Sequence, residues 1–463
     1  MKKQLTLWDA TMIVMGSMIG SGIFIVSSDM MRQLGSGYWM LSVWIITAIA
    51  TVAAAICYGE LSSMYPKAGG QYAYMTEIFG KMTGFLYGWS LFTVIQTGTI
   101  AAVAVAFGKF TAYIFPSLND APPIYQNGTF MITWIQVLAV GIVLLLTFIN
   151  TKGIRSGKVV QSFFTVAKIL ALIVLIIGGV FLIKNNFFWD NMSMGWQAFQ
   201  NFGGEGWQGI SGAALMGGIA AAMVGSIFSS VAWENVTFVS GEIVNARKNV
   251  VRSLVIGTSL VMLLYLMCNY IYLAALSRDE IAFAANDRVA VAAAEKLLGQ
   301  AGTVLMALLV MISTFGCVNG IVLSGARVFQ TMAKDGLFLK QAIPNNKYDV
   351  PERSLWLQGI WASMLCLSGQ YGNLLDMVSF VIVIFYMVTV FGVIYQRIKR
   401  PDIERSYKTF LYPVTPLIYL VIGTLFCGLL IIYKPQYTWP GFILILTGVP
   451  VYYWMNRKKP DTV

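Results

Sequence analysis

Long apolar runs recur along the chain from one end to the other. A helix of about 20 apolar residues crosses a hydrocarbon core of about 30 Å. Twelve runs of sufficient length lie near residues 8–33, 39–63, 82–115, 131–149, 158–183, 212–240, 251–276, 301–331, 355–370, 374–396, 411–433 and 438–456. The pattern predicts an all-α integral membrane protein with twelve transmembrane helices and both termini on one side. The first run is expected to remain as a span rather than be removed as a signal peptide.

Small residues interrupt two of these spans, the first at Gly16–Gly22 and the sixth at Gly225–Ala232. Corresponding broken helices, five spans apart, are typical of transporters built from two inverted five-helix repeats, with the binding site at the breaks. We therefore expect one repeat over residues 1–200 and a second over 201–400. Helices 11 and 12, with a cytoplasmic tail, would occupy residues 401–463.

Composition excludes most other classes of protein. Hydrophobic residues make up 57% of the chain and charged residues 11%, against about 25% charged in soluble domains. Histidine is absent, which rules out histidine-ligated metals and Ser-His-Asp triads. The five cysteines fall inside apolar runs without metal-like spacing, so we interpret them as reduced, packed thiols. No catalytic residue, cofactor or metal is expected, and no ring of repeated charges indicates an ion channel.

The net charge of +11 is distributed along the loops. If the N-terminus is inside, 23 lysines and arginines lie in the inner loops and tails, against six in the outer loops. This asymmetry predicts cytoplasmic N and C termini in a bacterial-type inner membrane. The lipid bilayer, rather than nucleic acid, is the partner that the charge indicates.

The first break, Gly16–Gly22, contains three glycines. Each glycine costs a helix about 1 kcal/mol relative to alanine, so unwinding is easy here. The half-helix that begins near Gly20 would present backbone N–H groups and a partial positive charge to an anion such as an α-carboxylate. Close packing of helices through small residues is the alternative explanation.

The second break, Phe228–Glu234, places small polar residues between two aromatic ones. Carbonyl groups freed at the end of the first half-helix can accept hydrogen bonds from an ammonium group. Phe228 and Trp233 would form a gate and a wall of a dry pocket, although ordinary membrane packing of aromatic rings is the alternative.

Ionisable residues inside membrane spans indicate function, because burying a charge in the bilayer costs several kcal/mol, at least about 2.5 at the helix centre. Lys168 lies ten residues into the fifth span. Its ammonium group would take the place of a sodium ion and link the first span to the fifth and eighth. Glu234 is the second candidate for a functional ionisable residue. The alternative explanation is that its carboxylate lies in a water-filled vestibule. Lys109, nearer a span end, is interpreted as a snorkelling side chain.

Five segments together resemble a known family. They are GSMIGSGIF from Gly16, YGELSSMYPKAGGQYAY from Tyr58, QSFFTVAKILAL from Gln161, WENVTFVSGEI from Trp233 and GARVFQTMAKDGLF from Gly325. In this order, over essentially the whole chain, they resemble the amino acid, polyamine and organocation permeases, and most of all their L-type amino acid transporter branch. The resemblance implies a LeuT-like fold, two inverted five-helix repeats plus two helices.

The resemblance also implies a function, sodium-independent exchange of small or neutral L-amino acids by alternating access. Carried over to this sequence, it assigns the substrate carboxylate to Ile19, Gly20, Ser21 and Gly22. It assigns the amino group to backbone atoms of Phe228, Ser229 and Val231. Ala232 and Trp233 complete the expected substrate site, with Lys168 in place of sodium.

Two departures from the family pattern matter. Glu234 stands where many members carry a neutral residue, often asparagine, so proton-coupled or exchange transport of cationic amino acids or amines remains open. Eukaryotic members are joined to a heavy chain through a cysteine between spans three and four, but residues 117–130 contain no cysteine. No disulfide-linked partner is therefore expected.

Overall fold

The computed structural model describes residues 5–66, 69–127, 130–203, 206–368 and 371–457. The first half of this chain contains helices α1 Leu7–Met18, α2 Val26–Leu34, α3 Gly37–Met64, α4 Gln71–Phe79, α5 Lys81–Ser90, α6 Gln96–Ile114, α7 Ser117–Asp120, α8 Trp134–Thr151, α9 Ile154–Leu182 and α10 Phe188–Met192. The second half contains α11 Gly212–Ser229, α12 Asn235–Phe238, α13 Ala246–Ala275, α14 Arg278–Ala282, α15 Val289–Leu298, α16 Gln300–Lys334, α17 Glu352–Ser368, α18 Tyr371–Lys399, α19 Val414–Tyr433 and α20 Pro435–Arg457.

Short elements connect these helices. Two antiparallel hairpins are formed by β1 Tyr125–Asn127 with β2 Phe130–Ile132 and by β3 Ala198–Gln200 with β4 Gln208–Ile210. Tight 3-10 turns lie at Gly22–Phe24, Ser240–Glu242, Ala285–Asp287 and Lys340–Ala342. A π-helical segment at Leu91–Ile95 joins α5 to α6, so the third predicted span is one helical path.

Nine helices in the described part of the chain are long and apolar enough to cross a membrane. They are Gly37–Met64, Lys81–Ile114, Trp134–Thr151, Ser162–Leu182, Gly212–Ser229, Ala246–Ala275, Gln300–Lys334, Leu375–Lys399 and Val414–Tyr433. The first predicted span does not meet this criterion because it is divided into α1 and α2. The ninth is α17, a helix of 17 residues, and the twelfth is α20. An all-helical, multi-pass architecture is thus confirmed.

The outer surface of the helix bundle is far more apolar than that of a soluble protein, around a core that is also mainly apolar. Large apolar side chains face outward along the long helices: Phe163 is 67% exposed, Phe181 80% and Leu425 62%. Polar side chains lie inside, including Lys168 and Asn319, both fully buried. With lipid as the surrounding solvent, outward apolar groups are stable and inward polar groups must find internal partners. All five cysteines are free and buried, as predicted.

Different contacts join the chain segments at each of the two ends of the helix bundle. At the end where α1 begins, the backbone of Leu5 pairs with Ile243, and Glu242 forms an ion pair with Arg327 at 3.2 Å. At the other end, Arg32 forms an ion pair with Asp287 at 2.7 Å. Five lysines counted in the predicted inner set lie outside the described residues: Lys2, Lys3, Lys67, Lys458 and Lys459.

Candidate functional site

The first predicted span is broken in the middle. Helix α1 begins with a capping box, in which Thr6 and Asp9 satisfy each other's backbone N–H groups. It ends at Met18, and the chain becomes extended at Ile19, with φ −73° and ψ 90°. After the 3-10 turn Gly22–Phe24, helix α2 resumes at Val26. The sequence correctly predicted this break.

Side chains from other helices occupy the carbonyl groups that the break exposes. The Lys168 ammonium, from α9, donates to the carbonyl oxygens of Gly16 at 2.6 Å and Ile19 at 2.7 Å. The last carbonyls of a helix have no partner within it, and a charged donor forms stronger hydrogen bonds than a neutral one. Lys168 therefore holds the end of α1 in its unwound form.

Helix α16 supplies further hydrogen-bond donors to the backbone carbonyl groups at the first break. The Ser313 hydroxyl lies 3.3 Å from the Ile19 carbonyl oxygen and 3.4 Å from that of Gly20. The Cys317 thiol donates to the carbonyl of Ser17, with a distance of 3.1 Å. Helices α9 and α16 approach closely at Gly316, where an added Cβ would lie 2.5 Å from Phe164 Cβ. The first, fifth and eighth predicted spans thus meet at one point.

On the other side of the break, backbone N–H groups lie at the start of the 3-10 turn. The first backbone bond of the 3-10 turn is donated by Phe24 to Ser21, at 3.1 Å. Gly20, Gly22 and Ile23 come before Phe24 in the chain, so their N–H groups lie ahead of the first hydrogen bond of this turn. Amides at the start of a helical segment carry a partial positive charge and favour anions.

The sixth predicted span breaks in the same manner. Helix α11 ends at Ser229, and α12 begins at Asn235. Ala232, between them, has φ +69°, a left-handed conformation that is uncommon for a residue with a side chain. This strained residue turns the chain and leaves the carbonyls at the end of α11 outside a continuous helix.

The two breaks lie against each other. An added Cβ at Gly22 would lie 2.0 Å from Ser229 Oγ, so only glycine allows this approach. The Tyr265 hydroxyl, from α13, lies 3.0 Å from the Met18 carbonyl oxygen and 3.1 Å from that of Ser229. One hydroxyl therefore connects the ends of the two first half-helices. Gly22 and Ser229, both candidate substrate-binding residues from the sequence, are in contact here.

Other predicted residues lie at the edge of this arrangement. Phe228 is buried in the last turn of α11. Val231 and Trp233 line a small cavity of about 30 Å³ among α3, α11, α18 and α19. The Trp233 ring packs against Tyr58, with ring centres 4.7 Å apart, and against Tyr386 at 5.1 Å.

Glu234 is also buried. Its carboxylate accepts a hydrogen bond from the Tyr386 hydroxyl of α18, and its backbone carbonyl accepts one from Thr237 at 2.7 Å. Within the described residues, Glu234 has no ion-pair partner. A buried carboxylate without a cation is costly unless it is protonated or meets a cationic ligand.

Sequence reasoning missed Tyr265, Ser313 and the contact of Cys317. A signal was present for the first: Tyr265, Asn269 and Tyr272 are spaced by four and three residues, which places them on one helix face. All three bond to the interrupted span, since Asn269 accepts from Ser27 at 2.6 Å and Tyr272 donates to the Ile23 carbonyl at 3.2 Å.

A polytopic helical membrane protein with two apposed helix breaks is thereby defined, offering amides from one break and carbonyls from the other. Comparison with known proteins specifies the family. The amino acid permease family matches residues 5–454. This chain belongs to that family.

Individual relatives align over almost the whole chain. The large neutral amino acids transporter small subunit 2 of Mus musculus is 34% identical over 470 residues, 99% of this chain and 83% of the relative. The Asc-type amino acid transporter 1 of Mus musculus is 32% identical over 478 residues, 99% of this chain and 83% of the relative. The b(0,+)-type amino acid transporter 1 of Mus musculus is 27% identical over 456 residues, 98% and 88% respectively.

Proposed function

We propose that this protein is a sodium-independent secondary transporter that exchanges small or neutral L-amino acids by alternating access. The observation that carries the proposal is the pair of bonds from Lys168 to Gly16 and Ile19, at 2.6 and 2.7 Å. A fixed ammonium at this point supplies the positive charge that a coupling cation would otherwise bring. Similarity to transporters of large neutral amino acids and of the Asc type supports the substrate class.

An α-amino acid is a zwitterion whose two charges are separated by one carbon atom. In our proposal the carboxylate binds the N–H groups of the first break, at Ile19–Gly22. The ammonium binds backbone carbonyls of Phe228, Ser229 and Val231. The side chain then extends past Phe228, which acts as a gate, towards Ala232 and Trp233. Contact between Gly22 and Ser229 supports this arrangement because it places the two breaks within reach of one small molecule.

The architecture that we propose has twelve spans, formed by two inverted repeats of five helices and two further helices. The divided first span and α17 and α20 complete the set begun by the nine long helices. The excess of lysine and arginine in the inner loops supports cytoplasmic termini in a bacterial-type inner membrane. We expect no disulfide-linked partner subunit, since all five cysteines are buried.

Transport in proteoliposomes tests the proposal. Purified protein is reconstituted, and uptake of a labelled neutral L-amino acid is measured with and without unlabelled amino acid inside, in sodium and in choline. We expect uptake that requires internal amino acid and is equal in both salts. Uptake that requires sodium, or that is equally fast into empty liposomes, would overturn the proposal.

The buried Glu234 supports a second candidate function, proton-coupled or exchange transport of cationic amino acids or amines. Glu234 has only the Tyr386 hydroxyl as a side-chain partner among the described contacts of its carboxylate, so a cationic guest or a proton would stabilise it. Competition of uptake by arginine, lysine or ornithine that disappears in Glu234→Gln would favour this function. Uptake into empty liposomes driven by a pH gradient would favour proton coupling.

A further inference from the structure

Two segments that are distant in sequence form a basic surface at the end of the bundle where α1 begins. One is the first part of α13, residues 246–252, and the other is the end of α18 with its connection to α19, residues 397–413. An ion pair between Arg247 and Glu404, at 3.4 Å, joins them. At their junction, an added Cβ on Gly59 would lie 3.1 Å from Val251 and 3.2 Å from Tyr407. The neighbouring residues of the two segments therefore share one surface.

A single buried carboxylate holds the second segment in place. Glu60, at the end of α3, is 1% exposed and accepts from Arg397 Nε at 2.9 Å and Nη2 at 2.8 Å. It also forms an ion pair with Arg405 at 3.3 Å and accepts from the Thr409 backbone N–H at 2.7 Å. Bidentate, charge-assisted bonds of this kind are strong and directional. The segment is consequently fixed to α3 rather than free to move.

Four cations on this surface keep their charge available. Lys248, Arg252, Lys399 and Lys408 are all exposed, and within the described residues none of them has an ion-pair partner. We call these four residues the basic surface. Like charges repel over about 8–10 Å at physiological ionic strength, and an anion bound among such charges relieves that repulsion. The geometry thus favours an anionic ligand.

Exposed apolar side chains stand beside the basic surface. Phe410 is 64% exposed and Leu411 61%, and Leu411 has φ +51°, a conformation rare for leucine. The Thr415 hydroxyl donates to the Phe410 carbonyl, and the Thr415 N–H donates to the Leu411 carbonyl at 3.2 Å. These bonds fix the pair at the start of α19, where a membrane helix enters the bilayer.

We propose that the basic surface binds the headgroup of an anionic phospholipid, with its acyl chains against Phe410 and Leu411. A soluble anion would need the charges but not the apolar pair, so the juxtaposition of both favours a lipid. Each lysine or arginine close to a membrane surface contributes a roughly fivefold factor in affinity for anionic lipid. A bound lipid would bridge α13 and the α18–α19 connection, in addition to the ion pair between Arg247 and Glu404 that already joins them.

Lipid retention measured by native mass spectrometry tests this inference independently of transport. Purified protein in neutral detergent is titrated with phosphatidylglycerol or phosphatidylcholine, and bound lipids per protein are counted. The test variant is Lys248→Gln/Lys399→Gln/Lys408→Gln. The matched control is Lys334→Gln/Lys340→Gln/Lys347→Gln, which removes three exposed lysines from the end of α16 and its connection to α17. A third variant, Phe410→Ser, removes apolar contact without changing charge.

We expect wild type to retain phosphatidylglycerol in preference to phosphatidylcholine, and the test variant to lose about a hundredfold in affinity for it. The control should stay within about twofold of wild type, and Phe410→Ser should weaken retention of the same lipid. Equal loss in the test and control variants, or equal retention of the two lipids, would overturn the proposal. Displacement of the lipid by inorganic phosphate, together with unchanged retention in Phe410→Ser, would identify a soluble anion as the ligand and also overturn it.

Discussion

Replacing Lys168 with methionine removes the ammonium but keeps an unbranched side chain of similar length. In the wild type, burying the charge inside the membrane costs about 2.5–3.5 kcal/mol. Its two bonds, at 2.6 and 2.7 Å, return about 1.5–3 kcal/mol each. The cost and the return are similar, so we expect the folding stability of Lys168→Met to change by about 3 kcal/mol at most.

Transport should be lost even though the protein still folds. The same two bonds lower the free energy of the unwound conformation of the first break, compared with that of a continuous helix. The quantity that matters for binding is this free-energy difference. If the two bonds contribute about 3 kcal/mol to that difference, their loss reduces the binding-competent fraction about a hundredfold. We therefore expect amino acid exchange in proteoliposomes to fall about a hundredfold, while the protein still folds and loses no more than about 3 kcal/mol of stability.

The matched control is Lys109→Met. Lys109 is another lysine within a helix of the bundle, half-buried in α6 and beside Asp287 and Arg288, far in sequence from the breaks. Exchange in this variant should stay within about threefold of wild type. Wild-type exchange in Lys168→Met, or an equal loss in both variants, would refute the role of Lys168 at the break.

Three further predictions concern the contacts around the breaks. Gly22→Ala should abolish exchange, because the new Cβ would lie 2.0 Å from Ser229 Oγ. Adding Ser229→Gly to this variant should restore part of the activity. A double variant that stays inactive would show that this clash is not the cause. Tyr265→Phe should lower exchange about five- to tenfold while the protein stays folded, since one hydroxyl worth about 1 kcal/mol is lost; an unchanged rate would exclude a role in joining the breaks. Glu242→Gln should destabilise the protein by about 3 kcal/mol or more, because Arg327 is left buried and unpaired. The double variant Glu242→Gln/Arg327→Gln should recover part of the thermal unfolding midpoint. A double variant less stable than the single one would contradict the pairing.

Helix bounds and the positions of both breaks were predictable because they depend on local composition. The third span was predicted at 82–115 and is observed at Lys81–Ile114. Glycine clusters weaken a helix wherever it packs, so the interruption at Gly16–Gly22 was visible in the sequence. The depth of Lys168 in its span also followed from counting residues along an apolar run.

The partners of the break were not predictable from local pattern. Cys317 was interpreted only as a packed thiol, yet its thiol donates to the Ser17 carbonyl at 3.1 Å. Helical periodicity indicates which residues share a face, but not which carbonyl of a distant helix that face meets. The same limit applies to Glu60, whose contacts with Arg397 and Arg405 join segments more than 300 residues apart.

Binding of chemically modified amino acids tests the central claim most directly, namely that one break holds the α-carboxylate and the other the α-ammonium. Affinities of the purified protein would be compared for a neutral L-amino acid, its methyl ester and its N-acetyl derivative, in choline buffer. Our account predicts that each modification weakens binding about a hundredfold, since each leaves charged-group hydrogen bonds unmade, worth about 1.5–3 kcal/mol apiece. An ester or N-acetyl derivative that binds as tightly as the free amino acid would contradict it.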